Sequence, residues 1–259
     1  LVAEDLDADA IAVPVSVSDI LDKHLGRRGA AITRTRIGSP WVVEAMSKMD
    51  GWCRVGFEAN GGFLVETRIE RAGRVLSPLP TRDAFVPLLT VLATAARTGR
   101  RIADRVAALP KRFTTAGLVD AVPREVARSA LAPIALEDVA EAWLEPGRER
   151  FRAFDAHPRS ADGEMQARLR KVADRVERRF EPYGLGQLKH ASWVDGVRLV
   201  FERDDVIHLR ASGNAPQFRV YVTAESMERA RALVDTCLGP TGPVTLMLEE
   251  ARDPGARLA

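Results

Sequence analysis

The order of apolar runs predicts two folded units, an α/β domain with βαβ units and a mixed or parallel sheet, followed by a smaller α+β domain of antiparallel strands and helices. Three observations carry this. Residues 10–57 alternate strand-like and helix-like segments, the pattern of parallel βαβ units. Residues 188–223 string together short strand-like runs with turn residues between them, flanked by helical stretches. Between these regions, residues 116–160 mix Pro, Gly and Arg with short helical pieces such as Leu136 to Leu144 and show no strong strand signal. The expected organisation is therefore a first domain at 1–115, a connecting region at 116–160 and a second domain at 161–259.

Taken in order, Ala10 to Val15 is a short apolar strand, and Ser18 or Asp19 caps a helix that Gly26 stops. Ala30 to Arg36 reads as strand, Pro40 to Met49 as helix with proline in its first turn, and Trp52 to Phe57 as strand. After a turn at Ala72-Gly73, Thr81 or Asp83 caps a helix. Its Phe85, Leu88, Leu89 and Leu92 follow the i, i+3, i+4, i+7 spacing of an apolar face, and Gly99 ends it. Glu164 to Phe180 reads as a charged amphipathic helix. Strands are then expected at Leu188 to Val194, Val197 to Phe201, Val206 to Leu209 and Phe218 to Thr223, with a turn at Asp204-Asp205. Ser226 caps a helix from Met227 to Leu238 that Gly239 ends.

Composition narrows the function classes. Lys and Arg number 38 against 36 Asp and Glu, a net charge of +2, so there is no broad cationic field for nucleic acid or an acidic membrane. With two tyrosines the chain also lacks a stacking platform for single strands. Cys53 and Cys237 lie far apart, which gives neither a disulfide framework nor a metal-ligand cluster and suits a reducing cytoplasm. No run approaches a membrane span and the start, Leu1-Val2-Ala3-Glu4-Asp5, is not a signal sequence. Opening without methionine inside helical sequence, the chain reads as a fragment of something longer.

Two segments carry chemistry. In Gly56-Phe57-Glu58-Ala59-Asn60-Gly61-Gly62-Phe63 a strand runs into a glycine-rich turn bearing an acid and an amide. Glu58 can accept hydrogen bonds from neighbouring hydroxyls, Asn60 can donate and accept, and the glycines admit close backbone approach, all of which suits a vicinal diol. The residues alone also fit a hairpin with an ordinary exposed acid. In Arg210-Ala211-Ser212-Gly213-Asn214-Ala215-Pro216, followed by Arg219, a small-residue turn between strands offers backbone N–H groups, Ser212 and Asn214 as neutral donors, and the planar fork of Arg210 to an anion such as phosphate. A polar turn with an exposed arginine is the other reading.

Together these segments resemble the α-D-phosphohexomutases of the phosphomannomutase/phosphoglucomutase type. The first is similar to the family's sugar-specificity loop, G-E-M-S-G-H, with Glu58 at the acid, Asn60 where serine is common and Gly62 where histidine is common. The second resembles the phosphate-binding loop, R-x-S-N/G-T-x-P, with Asn214 in place of threonine, and Asp195-Gly196-Val197-Arg198-Leu199-Val200-Phe201 resembles the D-G-hydrophobic strand that leads into it. Arg34-Thr35-Arg36-Ile37-Gly38-Ser39-Pro40 and Leu109-Pro110-Lys111-Arg112-Phe113-Thr114 are further matches.

The resemblance implies the third and fourth of the family's four domains. It implies a cytoplasmic parent enzyme, an isomerase that interconverts hexose 6-phosphate and hexose 1-phosphate, of mannose or glucose, through a bisphosphorylated intermediate. Glu58, Asn60 and Gly61 would then read the sugar, Arg210, Ser212, Gly213, Asn214 and Arg219 would grip phosphate, and Arg36 is a possible substrate contact. The implied cofactors are Mg²⁺ and glucose or mannose 1,6-bisphosphate, and the implied partners are a hexose phosphate and the N-terminal domains of the same protein. No T-A-S-H-N-P serine or D-G-D-x-D metal loop occurs in the sequence, so no catalytic or metal residue is assigned to it. Asp5-Leu6-Asp7-Ala8-Asp9 lacks the glycine of that metal loop and is expected to be a solvated helix end. Ser39 and Gly62 remove imidazoles found in many relatives, and His24, His157, His190 and His208 lie outside the matched loops. These departures, with Asn214, motivate an alternative: a non-catalytic sugar-phosphate-binding or scaffolding module derived from the fold.

Overall fold

A computed structural model describes residues 1–71, 73–145, 150–154, 158–160 and 163–253; Ala72 and His157 lie outside the described residues. The chain divides into two compact units, Leu1–Lys111 and Arg112–Ala259, so the second is the longer and not the smaller one.

The first unit opens with a one-turn helix α1 (Val2–Asp5) and then β1 (Ala10–Pro14), α2 (Ile20–His24), β2 (Ala31–Thr35), α3 (Ser39–Lys48) and β3 (Arg54–Phe57). β2 and β3 flank β1 in parallel, as the βαβ reading requires. β1 is buried at every position, which is why its sequence is a continuous apolar run rather than an alternating one. One face of the sheet packs Ile11, Val13 and Val55 against Ala3, Leu6, Leu21 and Leu25. On the other face Val42 and Met46 of α3 meet Ala12 and Leu64. Gly56 permits that approach, because a Cβ there would lie 2.4 Å from Val42 Cγ1 and 3.1 Å from the Ala12 carbonyl oxygen.

The sheet then turns antiparallel through β4 (Phe63–Val65), while β5 (Ile69–Arg71) and β6 (Arg74–Leu76) form a separate hairpin and β7 (Leu79–Asp83) closes the edge beside β4. α4 (Phe85–Thr98) follows, with the Asp83 carboxylate accepting from the Val86 N–H at 2.6 Å and Gly99 ending the helix at φ +67°. Its stripe of Phe85, Leu88, Leu89 and Leu92 is exposed at 50–75%. The periodicity is present, but the helix lies with Val86, Pro87, Thr90 and Val91 half-buried instead. α5 (Ile102–Ala107) completes this unit, tied to its start by the buried Arg105–Asp5 ion pair.

The second unit departs further from the sequence reading. The segment expected as a connector begins with β8 (Phe113–Asp120), an eight-residue strand paired along its whole length with the last strand of the sheet. Gly117 disguised it, because a glycine inside a strand reads as loop, whereas here its missing side chain admits Leu238 and Val234 of a covering helix. α6 (Arg124–Leu131) follows. Leu136 to Leu144, read as helical, instead ends in β9 (Glu141–Glu145), which joins β10 (Arg150–Phe154) and β11 (Pro158–Ser160). Tertiary pairing decides this: Ala142 is buried and Trp143 exposed, as alternation in a sheet demands.

Beyond α7 (Gly163–Phe180) come β12 (Leu188–Ser192), β13 (Val197–Phe201), β14 (Val206–Ala211) and β15 (Gln217–Ala224), then α8 (Met227–Leu238) and α9 (Pro243–Arg252). All pairings are antiparallel, in the order β11-β10-β9-β12-β13-β14-β15-β8. Asp204, at φ +62°, makes the expected turn, and Ser226 Oγ caps α8 by accepting from the Arg229 N–H at 3.1 Å. Among the described residues no helix is long and apolar enough to cross a membrane.

Candidate functional site

Parallel strands place their functional loops at their carboxyl edge. β3 ends at Phe57 and pairs Phe57 with Phe63, so Glu58 to Gly62 form the connection at that edge. The turn is closed by its own groups: Glu58 N–H donates to the Gly62 carbonyl at 3.0 Å, Gly61 N–H to the Glu58 carbonyl at 3.1 Å, and Gly62 N–H to Asn60 Oδ1 at 3.1 Å. Gly61 sits at φ +91°, a conformation that favours glycine. Asn60 thus spends its carbonyl on the turn and keeps its NH₂ as a donor.

Glu58 is only 9% exposed, and its Oε2 is buried without a hydrogen bond. A buried, unbonded carboxylate oxygen is a costly group unless a ligand supplies the donor. Arg82 Nη1 stands 3.8 Å from that oxygen. Arg82 also lies across Gly62, where a Cβ would be 2.8 Å from its Cγ and Cδ, so the space that a larger residue at 62 would need belongs to Arg82. Asn60, Gly61, Gly62, Arg82 and Asp83 line a groove of about 830 Å³. Sequence reasoning used Thr81 and Asp83 as helix caps and passed over the arginine between them. Arg36 follows β2 at the same sheet edge, exposed, with its Cζ 5.1 Å from the ring centre of Trp41.

The second site lies in the other unit, where β14 turns into β15. Ser212 is buried and donates its N–H to the Gln217 carbonyl at 2.8 Å, while Gly213 and Asn214 are exposed at the tip. The loop is held from outside by Val122 N–H on the Pro216 carbonyl and by Arg124 Nη2 on the Gly213 carbonyl. Arg124 comes from the region expected to be a connector, and nothing in its local sequence marked it.

Arg210 and Arg219 are directly opposed in the β14–β15 register. Like charges facing one another across a strand pair are unfavourable unless something of opposite sign intervenes. Asp195 offsets part of this, its Oδ1 standing 2.9 Å from Arg210 Nε. Arg219 Nη2 donates to Gln217 Oε1 at 3.2 Å. The structure therefore gathers Arg210, Ser212, Gly213, Asn214 and Arg219 on one loop, and Glu58, Asn60 and Gly61 on another.

The remaining candidates have other employment. Asp5 pairs with Arg105, Asp7 with Arg71, and Asp9 accepts from the N–H groups of Trp52 and Cys53. Among the described residues no group of three or more His, Cys, Asp or Glu could hold a metal ion. His24 lies 3.2 Å from Glu4 and His190 stacks on Trp143. His208 is buried in β14, its Nε2 2.7 Å from the Asp195 carbonyl oxygen, and desolvation pushes its pKa down to about 4. Burial likewise pushes the thiols of Cys53 and Cys237 up to about 11 and about 12.

Residues 1–113 match the family model of phosphoglucomutase/phosphomannomutase alpha/beta/alpha domain III. A phosphomannomutase of Salmonella muenchen is 31% identical over 236 residues, 90% of this chain and 41% of that protein. The chain belongs to the α-D-phosphohexomutase family. A second phosphomannomutase, from Sinorhizobium fredii, is 30% identical over 232 residues, 88% of this chain and 40% of that protein. The fold agrees with the crystal structure of a phosphoglucomutase/phosphomannomutase family protein from Burkholderia thailandensis, with a TM-score of 0.57 at 12% identity over 98% of this chain and 41% of the other. The chain spans about two fifths of the length of the curated relatives it matches.

Proposed function

We propose that this chain supplies the sugar-reading and phosphate-gripping loops of a phosphohexomutase that interconverts hexose 6-phosphate and hexose 1-phosphate through a bisphosphorylated intermediate. The observation that carries the reading is the facing pair Arg210 and Arg219 at the mouth of a small-residue loop, a repulsive arrangement that a phosphate dianion relieves. The unbonded oxygen of Glu58 adds a hydroxyl acceptor in the first unit, where Asn60 supplies the complementary donor. Gly62, in place of a family histidine, does not leave this turn without a polar side chain, since Arg82 occupies the adjoining space. That favours a ligand site over a scaffold that has lost one.

Phosphoryl transfer also needs a donor and a cation at the transferring group. We assign neither to the described residues and derive no step through the metal. Their work is recognition: Arg210 and Arg219 neutralise the phosphate, Ser212 and Asn214 donate to it, and Glu58 and Asn60 orient hydroxyls.

Calorimetric titration of glucose 1-phosphate into the chain and its Arg210→Ala variant tests this. A charge-assisted contact of roughly 1.5–3 kcal/mol predicts affinity lower by about 10- to 100-fold. Equal affinities would remove the phosphate-loop assignment.

A further inference from the structure

We propose that Asp195 is a positioning residue for the phosphate loop: it holds Arg210 by Nε and thereby aims the two terminal nitrogens of the guanidinium at the anion. This rests on the phosphate-loop reading given above.

The side chains of Arg210 and Asp195 are 15% and 20% exposed, so water competes little for their 2.9 Å ion contact. The N–H direction is off the hydrogen-bond line, making the contact one of charge rather than of a directed bond. Arg210 Nη2 lies 3.9 Å from the position a Cβ would take on Gly213, which places the far end of the guanidinium under the loop tip. Its near end is therefore at the acid and its far end at the candidate phosphate.

The acid is itself fixed. Asp195 precedes Gly196, which sits at φ +80° and is pressed against the strand entering the loop. A Cβ on Gly196 would stand 2.3 Å from the Leu209 carbonyl oxygen and 3.1 Å from Arg210 Cα. Only glycine combines that backbone conformation with that approach. From the other side His208, stacked on Tyr221, brings Nε2 to 2.7 Å from the Asp195 carbonyl oxygen. The turn is thus anchored at its backbone while the carboxylate faces Arg210. Without the carboxylate, Arg210 would be left against Arg219, and repulsion would spread the two guanidinium groups apart.

Simple electrostatics and positioning predict opposite signs, which makes the idea testable. Removing a carboxylate beside an anion site should tighten binding if the acid merely repels the anion. Positioning predicts that Asp195→Ala weakens binding of inorganic phosphate to the 259-residue chain by about three- to tenfold, the cost of ordering one long side chain at each binding event. Asp195→Asn, which keeps the shape of the side chain but loses the charge that makes the contact, should weaken binding by a similar factor. The Arg210 Nε–Hε resonance of ¹⁵N-arginine-labelled protein, assigned by its loss in Arg210→Lys, should be protected from water exchange in the parent, where Nε is buried against the acid, and unprotected in Asp195→Ala and Asp195→Asn. Asp195→Ser, with a side chain too short to reach the guanidinium, decides the same question if the alanine variant loses its amide dispersion. Unchanged or tighter phosphate binding in the folded alanine or serine variant overturns the proposal, provided Arg210→Ala still weakens it. If Arg210→Ala has no effect either, it is the phosphate loop that has been misassigned.

Discussion

His208 shows how a single buried side chain makes the fold sensitive to pH. Its imidazole is 2% exposed and, with a pKa near 4, neutral at pH 7, because burial outweighs the hydrogen bond to the Asp195 carbonyl oxygen. An unfolded histidine titrates near 6.5, so between those values the unfolded chain binds the proton that the folded chain refuses. The stability His208 contributes is present above about pH 6.5 and is lost as pH falls toward 4, roughly 2 kcal/mol of it by pH 5. Urea unfolding at pH 7.5 and 5 should therefore show a larger loss in the parent than in His208→Asn. Equal losses would mean that the ring is not held neutral. The same residue was legible in sequence only as an ordinary histidine, because what buries it is a stack on Tyr221 from the neighbouring strand.

Secondary elements were readable wherever their local signals and their packing agree. α8 has a serine cap, a helical apolar spacing and a glycine stop, and it runs from Met227 to Leu238 as those signals require. β8 is illegible locally because the partner that makes it a strand, β15, lies far along the chain. For α4 the period marks the helix but does not say which face packs. The exposed stripe predicts that Leu89→Ser shifts the urea unfolding free energy by less than about 0.5 kcal/mol. Gly56→Ala, which drives a Cβ into Val42, Met46 and the Ala12 carbonyl, should cost about 1–3 kcal/mol. A costly serine and a silent alanine would reverse the packing described for this unit. The two candidate loops were visible because each is contiguous in sequence. Arg82, Arg124 and Asp195 reach those loops from elsewhere in the chain, and only the folded backbone brings them there.

At the level of the whole molecule, the proposed function gives each unit one recognition element on its sheet: a hydroxyl acceptor at the carboxyl edge of parallel strands, and an anion loop between antiparallel ones. Division of labour is the central claim, and Glu58→Gln tests it most directly. Calorimetry should be run with glucose 1-phosphate and, separately, with inorganic phosphate, on both the parent chain and the variant. Loss of a charged acceptor predicts that glucose 1-phosphate binds about 10- to 100-fold more weakly to Glu58→Gln, since a hydrogen bond to a charged group contributes about 1.5–3 kcal/mol. Inorganic phosphate, which has no sugar hydroxyl to offer, should bind both proteins alike. If the two ligands lose affinity by the same factor, or neither loses any, Glu58 does not read the sugar and the account of the first unit is wrong.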